Sequence, residues 1–110
     1  MSLVSVTVFN LVRPYRAALW SRAAGELDGV ARTLAAGLSG HVDAARTVSV
    51  AGARARQYDL SYERNGAALR QRITFVLRGR REYQLLCRWA AASGEPAACR
   101  LLLASFAPVQ

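Results

Sequence analysis

The dipeptide Asn65-Gly66 constrains the fold of this chain most, because it separates two long runs in which polar and apolar residues alternate. Asparagine and glycine both tolerate positive φ, so this pair is the strongest short signal for a two-residue hairpin turn. Such a turn places Arg64 opposite Ala67 and, further along the strands, Asp59 opposite Arg72. This register gives one apolar, aromatic face and one polar face on which opposite charges meet. The sequence therefore predicts an antiparallel hairpin centred on Asn65-Gly66.

The alternation continues on both sides of the hairpin and predicts further strands. Residues 5–11 form a first strand that ends near Pro14, and residues 81–89 follow the hairpin as the last strand. Another strand precedes the hairpin and ends at a tight turn formed by Ala51-Gly52. We expect a three-residue loop with a bulge at 78–80, because an odd loop length places the apolar side chains of the last strand on the aromatic face. These side chains are Tyr83, Leu85, Cys87 and Trp89.

Two segments follow a helical period instead. Apolar residues recur at spacings of three and four over residues 17–38, which is typical of an amphipathic helix, and Ser39-Gly40 ends it. Glu95-Pro96 opens a second, short helix, since proline is tolerated at the first helical position. The sequence therefore predicts one α+β domain over residues 1–110. The elements of this domain follow the order β-α-β-β-β-β-α. The strands form an antiparallel sheet, which is flanked by a long N-terminal helix and a short C-terminal helix.

The chain is strongly basic, with 15 arginines, no lysine, 7 acidic residues and a formal net charge of +8. The 21 alanines and the lack of lysine are typical of a GC-rich genome, so a solvated, compositionally biased surface is one interpretation of the arginines. The other interpretation is a binding patch for an anion or an acidic partner. The polar face and the 78–81 turn each supply three of its candidate residues: Arg70, Arg72, Arg88, Arg78, Arg80 and Arg81. The aromatic residues fall on the opposite face, so nucleic acid is not an expected partner.

Residues that would support catalysis or metal binding are sparse. His41 is the only histidine and follows the predicted end of the long helix, where it would interact with terminal carbonyl groups. Cys87 and Cys99 lack the spacing of a zinc site, and no phosphate-binding loop or nucleophile elbow occurs. We therefore expect a protein that is not an enzyme and holds no cofactor or metal. No run approaches the ~18 apolar residues of a transmembrane helix, and no signal-peptide pattern opens the sequence.

The segment 48–106 carries a family resemblance. Gly52 precedes an alternating strand, a later strand contains Tyr83-Gln84-Leu85-Leu86, and the short helix closes on Leu103-Ala104-Ser105-Phe106. This pattern resembles the PsbP-like family, which includes the photosystem II extrinsic subunit, the Ran-binding Mog proteins and many bacterial lipoproteins of unknown role. The resemblance implies an antiparallel sheet flanked by helices, a non-catalytic binding role and, often, an extracytoplasmic address, and it carries over no functional residue. The runner-up fold is a cystatin-like wrap.

The two cysteines are candidates for a disulfide. Cys87 lies on the inward face of its predicted strand and Cys99 on the apolar side of the short helix, and Ser93-Gly94 allows that helix to fold back. The alternative is that both are free thiols packed as small apolar side chains. Resemblance to exported proteins favours the bond, since disulfides persist in oxidising compartments.

The main functional hypothesis is a non-catalytic interaction domain whose partner, a protein or a small ligand, is unknown. The alternative is anion or nucleic-acid binding through the arginine-rich sheet face, which predicts salt-sensitive binding to a random oligonucleotide. Two further interpretations concern apolar surfaces. A groove between the long helix and the sheet would hold a small apolar ligand, and homodimerisation through an uncovered part of the sheet would shield an edge strand.

Overall fold

The structure, a computed structural model, describes residues 3–108 of the chain. These residues form an antiparallel sheet with one helix packed on each face. Along the chain the elements are β1 (Leu3–Asn10), α1 (Trp20–Gly37, after a 3-10 turn at Ala17–Leu19), β2 (His41–Val50), β3 (Ala53–Arg64), β4 (Ala67–Arg78), β5 (Arg81–Ala90) and α2 (Ala97–Ser105). The strands lie in the order β1-β5-β4-β3-β2, so β1 and β2 form the two edges.

The β3–β4 hairpin forms in the predicted register. The dipeptide Asn65-Gly66 has φ values of 54° and 79°, the left-handed conformation that both central residues of a type I′ turn require. Arg64 therefore pairs with Ala67, and Asp59 pairs with Arg72. This part of the sequence prediction is confirmed.

The β4–β5 turn is shorter than predicted. Arg78 pairs directly with Arg81, which leaves two loop residues, Gly79 and Arg80, so the predicted three-residue loop is wrong. Gly79 has a φ of 58°, as the first central position of a type II′ turn requires. Because a change of one residue moves every side chain of a strand to the other face, β5 presents its apolar residues on the face opposite the expected one.

The predicted long N-terminal helix is also wrong. Among the described residues strand β1 comes first, close to the strand predicted at 5–11, and the helix of 18 residues follows it, so the helix is not N-terminal. β1 pairs with β5, and beyond its end the backbone N–H groups of Leu11 and Tyr15 donate to the carbonyl oxygens of Arg80 and Gly79. The N-terminal segment is thus a fifth strand of the sheet. α1 then crosses the sheet and delivers the chain to β2 at the opposite edge.

α1 packs on one face, called here the α1 side, through a stripe of small and branched residues. Leu27, Ala31 and Ala35 are buried, and the two alanines let the helix backbone approach the sheet closely. The sheet contributes five buried residues to this layer: Tyr58, Leu60, Ile73, Phe75 and Leu77. No helix among residues 3–108 combines the length and apolarity needed to cross a membrane.

α2 packs on the other face, called here the α2 side. Leu102 and Leu103 of α2, together with Phe106 just after the helix, cover a second cluster, formed by Val50, Ala55, Val76, Tyr83 and Leu85. The aromatic side chains are therefore divided between the faces. Tyr58 contacts Phe75 edge-on in the α1 layer, and Tyr83 contacts Phe106 edge-on in the α2 layer. The prediction of a single aromatic face is wrong, because the two-residue β4–β5 turn places each side chain of β5 on the face opposite the expected one.

Gly40, between α1 and β2, lies where the backbone passes close to β3. A Cβ atom at this position would lie 2.7 Å from the Cβ of Tyr62 and even closer to the carbonyl oxygen of Ser61. Gly40→Ala forces β2 away from β3, so we expect it to lower the free energy of unfolding by about 1–3 kcal/mol, the usual cost of overpacking. Urea denaturation measures this change.

Gly25→Ala in α1 is the matched control. No atom lies within 4 Å of the Cβ that this substitution adds. We expect it to raise the free energy of unfolding by up to about 1 kcal/mol, since alanine favours helix over glycine. Equal changes at both glycines would contradict the close approach at Gly40.

Candidate binding surfaces

The arginines on the polar part of the α2 side form an ion-pair network with neighbouring carboxylates. Asp59 accepts hydrogen bonds from Arg72 Nε at 2.8 Å and from Arg46 Nη2 at 2.6 Å. Arg72 also pairs with Glu95, which Arg100 contacts at 3.3 Å. The network joins β2, β3 and β4 to the start of α2. Its arginines are therefore occupied by partners inside the protein.

The network also fixes the charge of Asp59. Burial raises the pKa of this carboxyl group, but the hydrogen bonds and charges of Arg72 and Arg46 outweigh burial and lower the pKa overall. The hydrogen bond to Asp59, in turn, raises the pKa of Arg72. Asp59 stays ionised at neutral pH and compensates the guanidinium groups around it. This face consequently offers less net positive charge than its arginines alone suggest.

The other two arginines expected on that face are separated from each other. Arg70 lies exposed on the α2 side, 4.0 Å from Asp43. Arg88 pairs with Gln71, which faces the α1 side together with Leu60. The expected patch of Arg70, Arg72 and Arg88 therefore does not form, since the two-residue turn places Arg88 on the opposite face.

A different group of arginines gathers at one end of the sheet. Arg78, Arg80 and Arg81 are exposed at the β4–β5 turn, where the sequence analysis placed them. The loop from β1 to α1 docks against this turn, with Leu11 N–H donating to Arg80 O at 2.7 Å and Tyr15 N–H to Gly79 O at 2.6 Å. This contact brings two more exposed arginines to the same end. We name Arg13, Arg16, Arg78, Arg80 and Arg81 the arginine end.

None of these five arginines forms an ion pair within residues 3–108. Arg80 Nη1 donates to the carbonyl oxygen of Val12 at 3.5 Å, but no carboxylate of the described residues neutralises any of the five guanidinium groups. Sequence reasoning found Arg78, Arg80 and Arg81 but missed Arg13 and Arg16. These two lie far away along the chain and join the turn only because β1 pairs with β5.

An apolar groove begins beside the arginine end. It has a volume of about 380 Å³ and lies between α1, the β1–α1 loop and the end of β4. We name it the α1 groove; its apolar lining includes Leu11, Tyr15, Leu19, Val30 and Leu77, and its charged lining comprises Arg13, Arg22, Glu26 and Glu82. Arg22 and Glu26 pair with each other, and Gln84 donates a hydrogen bond to Glu82. Arg13 therefore belongs both to the groove and to the arginine end.

A polar contact anchors α1 to the sheet. The hydroxyl group of the buried Tyr58 donates a hydrogen bond to Asp28, and Arg56 Nε donates to the same carboxylate at 3.1 Å. The hydrogen bond from Tyr58 is the main cause that lowers the pKa of Asp28, while burial and then this bond raise the pKa of Tyr58. Asp28 is thus ionised and Tyr58 protonated at neutral pH. Sequence reasoning missed this anchor because its partners are 30 residues apart.

His41 lies exposed at the start of β2, next to a second cavity of about 520 Å³. The cavity is lined by residues from the α1–β2 junction and the β3–β4 hairpin, among them Ser61, Glu63 and Arg70. Within residues 3–108, no three histidine, cysteine or acidic side chains are grouped closely enough to hold a metal ion.

The sulfur atoms of Cys87 and Cys99 are joined in a disulfide that links β5 to α2. Their Cα atoms are 5.6 Å apart, and both side chains are buried beside Trp89. The bond lies on the α2 side, away from the aromatic face on which the sequence analysis placed Cys87. It fastens the short helix α2 over the second cluster.

No protein-family model, no curated protein and no solved structure matches this chain.

The network around Asp59 predicts a pH-dependent contribution to stability. The folded pKa of Asp59 is lowered, so its contribution is present above the unfolded pKa of about 3.9 and is lost as pH falls through the folded value. Asp59→Asn should lower the free energy of unfolding by about 1 kcal/mol at pH 7, given partial solvent screening. The difference between the two proteins should shrink as the pH falls below the unfolded pKa, as measured by urea denaturation.

Asp43→Asn is the control for this experiment. Asp43 is exposed and 4.0 Å from its only arginine partner among the described residues, so we expect a change well below about 1 kcal/mol at neutral and at low pH. A difference between wild type and Asp59→Asn that persists unchanged at low pH would show that the effect does not come from the ionised carboxylate.

The disulfide predicts the absence of free thiols in the unreduced protein. Titration of the denatured, unreduced protein should find none, and reduction should lower the free energy of unfolding by about 3 kcal/mol, the chain-entropy value for a loop of this length. A variant with Cys87→Ala and Cys99→Ala should be insensitive to the reductant. Two free thiols in freshly purified protein would contradict the bond.

Proposed function

We propose that this protein is a non-catalytic binding domain whose ligand is an amphipathic anion. The apolar part of the ligand occupies the α1 groove, and its acidic group contacts the arginine end. The observation that carries this proposal is the position of Arg13, which lines the groove and stands beside four further arginines without ion-pair partners among the described residues.

The groove has the properties of a ligand site. Its volume of about 380 Å³ falls in the range of small-molecule pockets, which are mostly apolar with a few charged groups that fix orientation. Leu19 and Val30 on its rim are 44% and 42% exposed, so apolar surface is available for a ligand to cover. The net charge of +8 also favours the approach of an anion from a distance.

The acidic side chains support a role without catalysis. Asp28, Asp59 and Glu95 are each engaged by arginine, and the pKa values of Asp28 and Asp59 are lowered. A carboxylate held ionised in this way is a poor general acid. Both cysteines are used in the disulfide, which removes them as nucleophiles.

Membership of the PsbP-like family remains part of this proposal and rests on the sequence motifs of segment 48–106. Its binding role without catalysis agrees with the ligand site proposed here. The extracytoplasmic address that the resemblance implies is supported by the Cys87–Cys99 bond, since disulfides are rare in reducing compartments.

The proposal also includes anion binding, which the sequence analysis placed on the arginine-rich sheet face, but it locates that binding at the β4–β5 turn. On the sheet face, Arg72 is ion-paired with Asp59 and Glu95. At the turn, Arg78, Arg80 and Arg81 are exposed. We therefore assign anion binding to the arginine end. The aromatic rings of Tyr58, Phe75 and Tyr83 are buried, so they are not platforms on which nucleic-acid bases stack.

A fluorescent fatty-acid analogue, a dansyl group on an undecanoic acid chain, tests the site. Arg13→Gln should weaken binding by about fivefold, the value of a partly screened charge contact. Val30→Gln should weaken it by a similar factor of roughly five, because it places an amide in the apolar lining. Fluorescence titration measures both affinities.

Two substitutions elsewhere serve as controls. Arg88→Gln removes an arginine on β5 outside the groove, and Leu101→Gln changes a side chain of α2 that is 64% exposed. Both should bind the analogue as the wild type does. Equal binding of the uncharged amide of the analogue would refute the role of the arginine end, and no binding of the acid to the wild type would refute the site.

A further inference from the structure

Strand β1 is an edge strand without the usual protection against pairing. In the described part of the chain it is hydrogen-bonded on one side only, to β5. Its eight residues, Leu-Val-Ser-Val-Thr-Val-Phe-Asn, contain no charge, proline or glycine. Val6, Val8 and Phe9 are 47%, 50% and 45% exposed. An uncharged, apolar edge of this length is a template for another strand.

The opposite edge is protected. β2 carries a register shift between Val42 and Ala44, and its side chains include the charged Asp43 and Arg46. Bulges and charges are the devices that keep edge strands from pairing. β1 has neither device, so its edge is open to pairing with another strand.

The sequence of β1 is a chemical palindrome centred on Val6. Ser5 and Thr7 flank it with hydroxyl groups, and the next residues outward, Val4 and Val8, are identical. The outermost pair, Leu3 and Phe9, is apolar on both sides. Such symmetry fits a partner that carries the same sequence in the opposite direction, which is a second copy of this chain.

A twofold axis perpendicular to the sheet places β1 of a second copy antiparallel to β1 of the first. This rotation keeps the α1 sides of both copies on one face of the joint sheet and their α2 sides on the other. Residues that face each other across the axis must therefore point to the same face. Val4, Val6 and Val8 pair with β5 residues of the α2 side, so all three lie on that side. With Val6 on the axis, Val4 faces Val8 of the second copy and Val6 faces itself. On the α1 side, Leu3 faces Phe9 and Ser5 faces Thr7.

We propose that the protein forms a twofold homodimer through antiparallel β1–β1 pairing with Val6 on the axis, giving a continuous sheet of ten strands. Every cross-strand pair among residues 3–9 in this register joins two apolar side chains or two hydroxyl groups, the kinds of pair that stabilise antiparallel sheets. The pairing also satisfies the backbone groups along the free edge of β1. The dimer does not depend on ligand binding in the α1 groove.

Sedimentation equilibrium of the full chain tests the dimer. The wild type should sediment as a dimer, and Val6→Lys should raise the dissociation constant by at least about tenfold, because two like charges would oppose each other on the axis. Val12→Lys is the matched control, since Val12 is 94% exposed just after β1 and outside the pairing. It should leave the dimer unchanged.

The register has its own test. Val4→Lys alone should weaken the dimer, and adding Val8→Glu should restore it, since the lysine of one copy then faces the glutamate of the other. Within one chain these two positions are too far apart along the strand to pair, so the rescue reports only on the contact between copies. Circular dichroism confirms that each variant is folded.

Three results would overturn the proposal. A monomeric wild type excludes the dimer, and an unchanged dimer in Val6→Lys excludes β1 as its interface. A folded Val4→Lys, Val8→Glu variant that remains monomeric excludes the register centred on Val6.

Discussion

The two-residue turn between β4 and β5 determines how the two layers of the protein are composed. With only Gly79 and Arg80 in the loop, β5 directs Tyr83 and Leu85 towards α2. The same register carries Cys87 to the face where it meets Cys99. It also sends Arg88 to the opposite side of the sheet. A single additional loop residue would place each of these side chains on the other face of the sheet, because side chains alternate along a strand.

On the other face, α1 is held by packing and by charge. Its alanines allow close contact with the sheet, and Asp28 is bound by the hydroxyl group of Tyr58 and by Arg56. Contacts of α1 are concentrated on β2 and β3, so apolar side chains on its other flank, such as Val30, remain partly open. The α1 groove is the consequence of this one-sided coverage.

Local signals in the sequence were sufficient for some features of the fold. Asn65-Gly66 specified its hairpin because the turn and the register depend on adjacent residues only. The helical period over 17–38 located α1, which spans Trp20–Gly37. The prediction for 78–80 was wrong because it assumed one aromatic face, whereas two helices on opposite faces give the sheet two apolar layers. The arginine end could not be predicted, since it unites Arg13 with Arg78 only through the β1–β5 pairing.

The pairing of β1 with β5 joins the first and the last of the described strands, which has a consequence for the order of folding. The strands from β2 to β5 follow one another through short turns, so their contacts close small loops and can form early. β1 must wait for β5, the last of the five described strands along the chain, before it can pair. Until then an uncharged, valine-rich segment is without a partner. Of the described strands, β1 is therefore the first to be synthesised and the last to find its partner in the sheet.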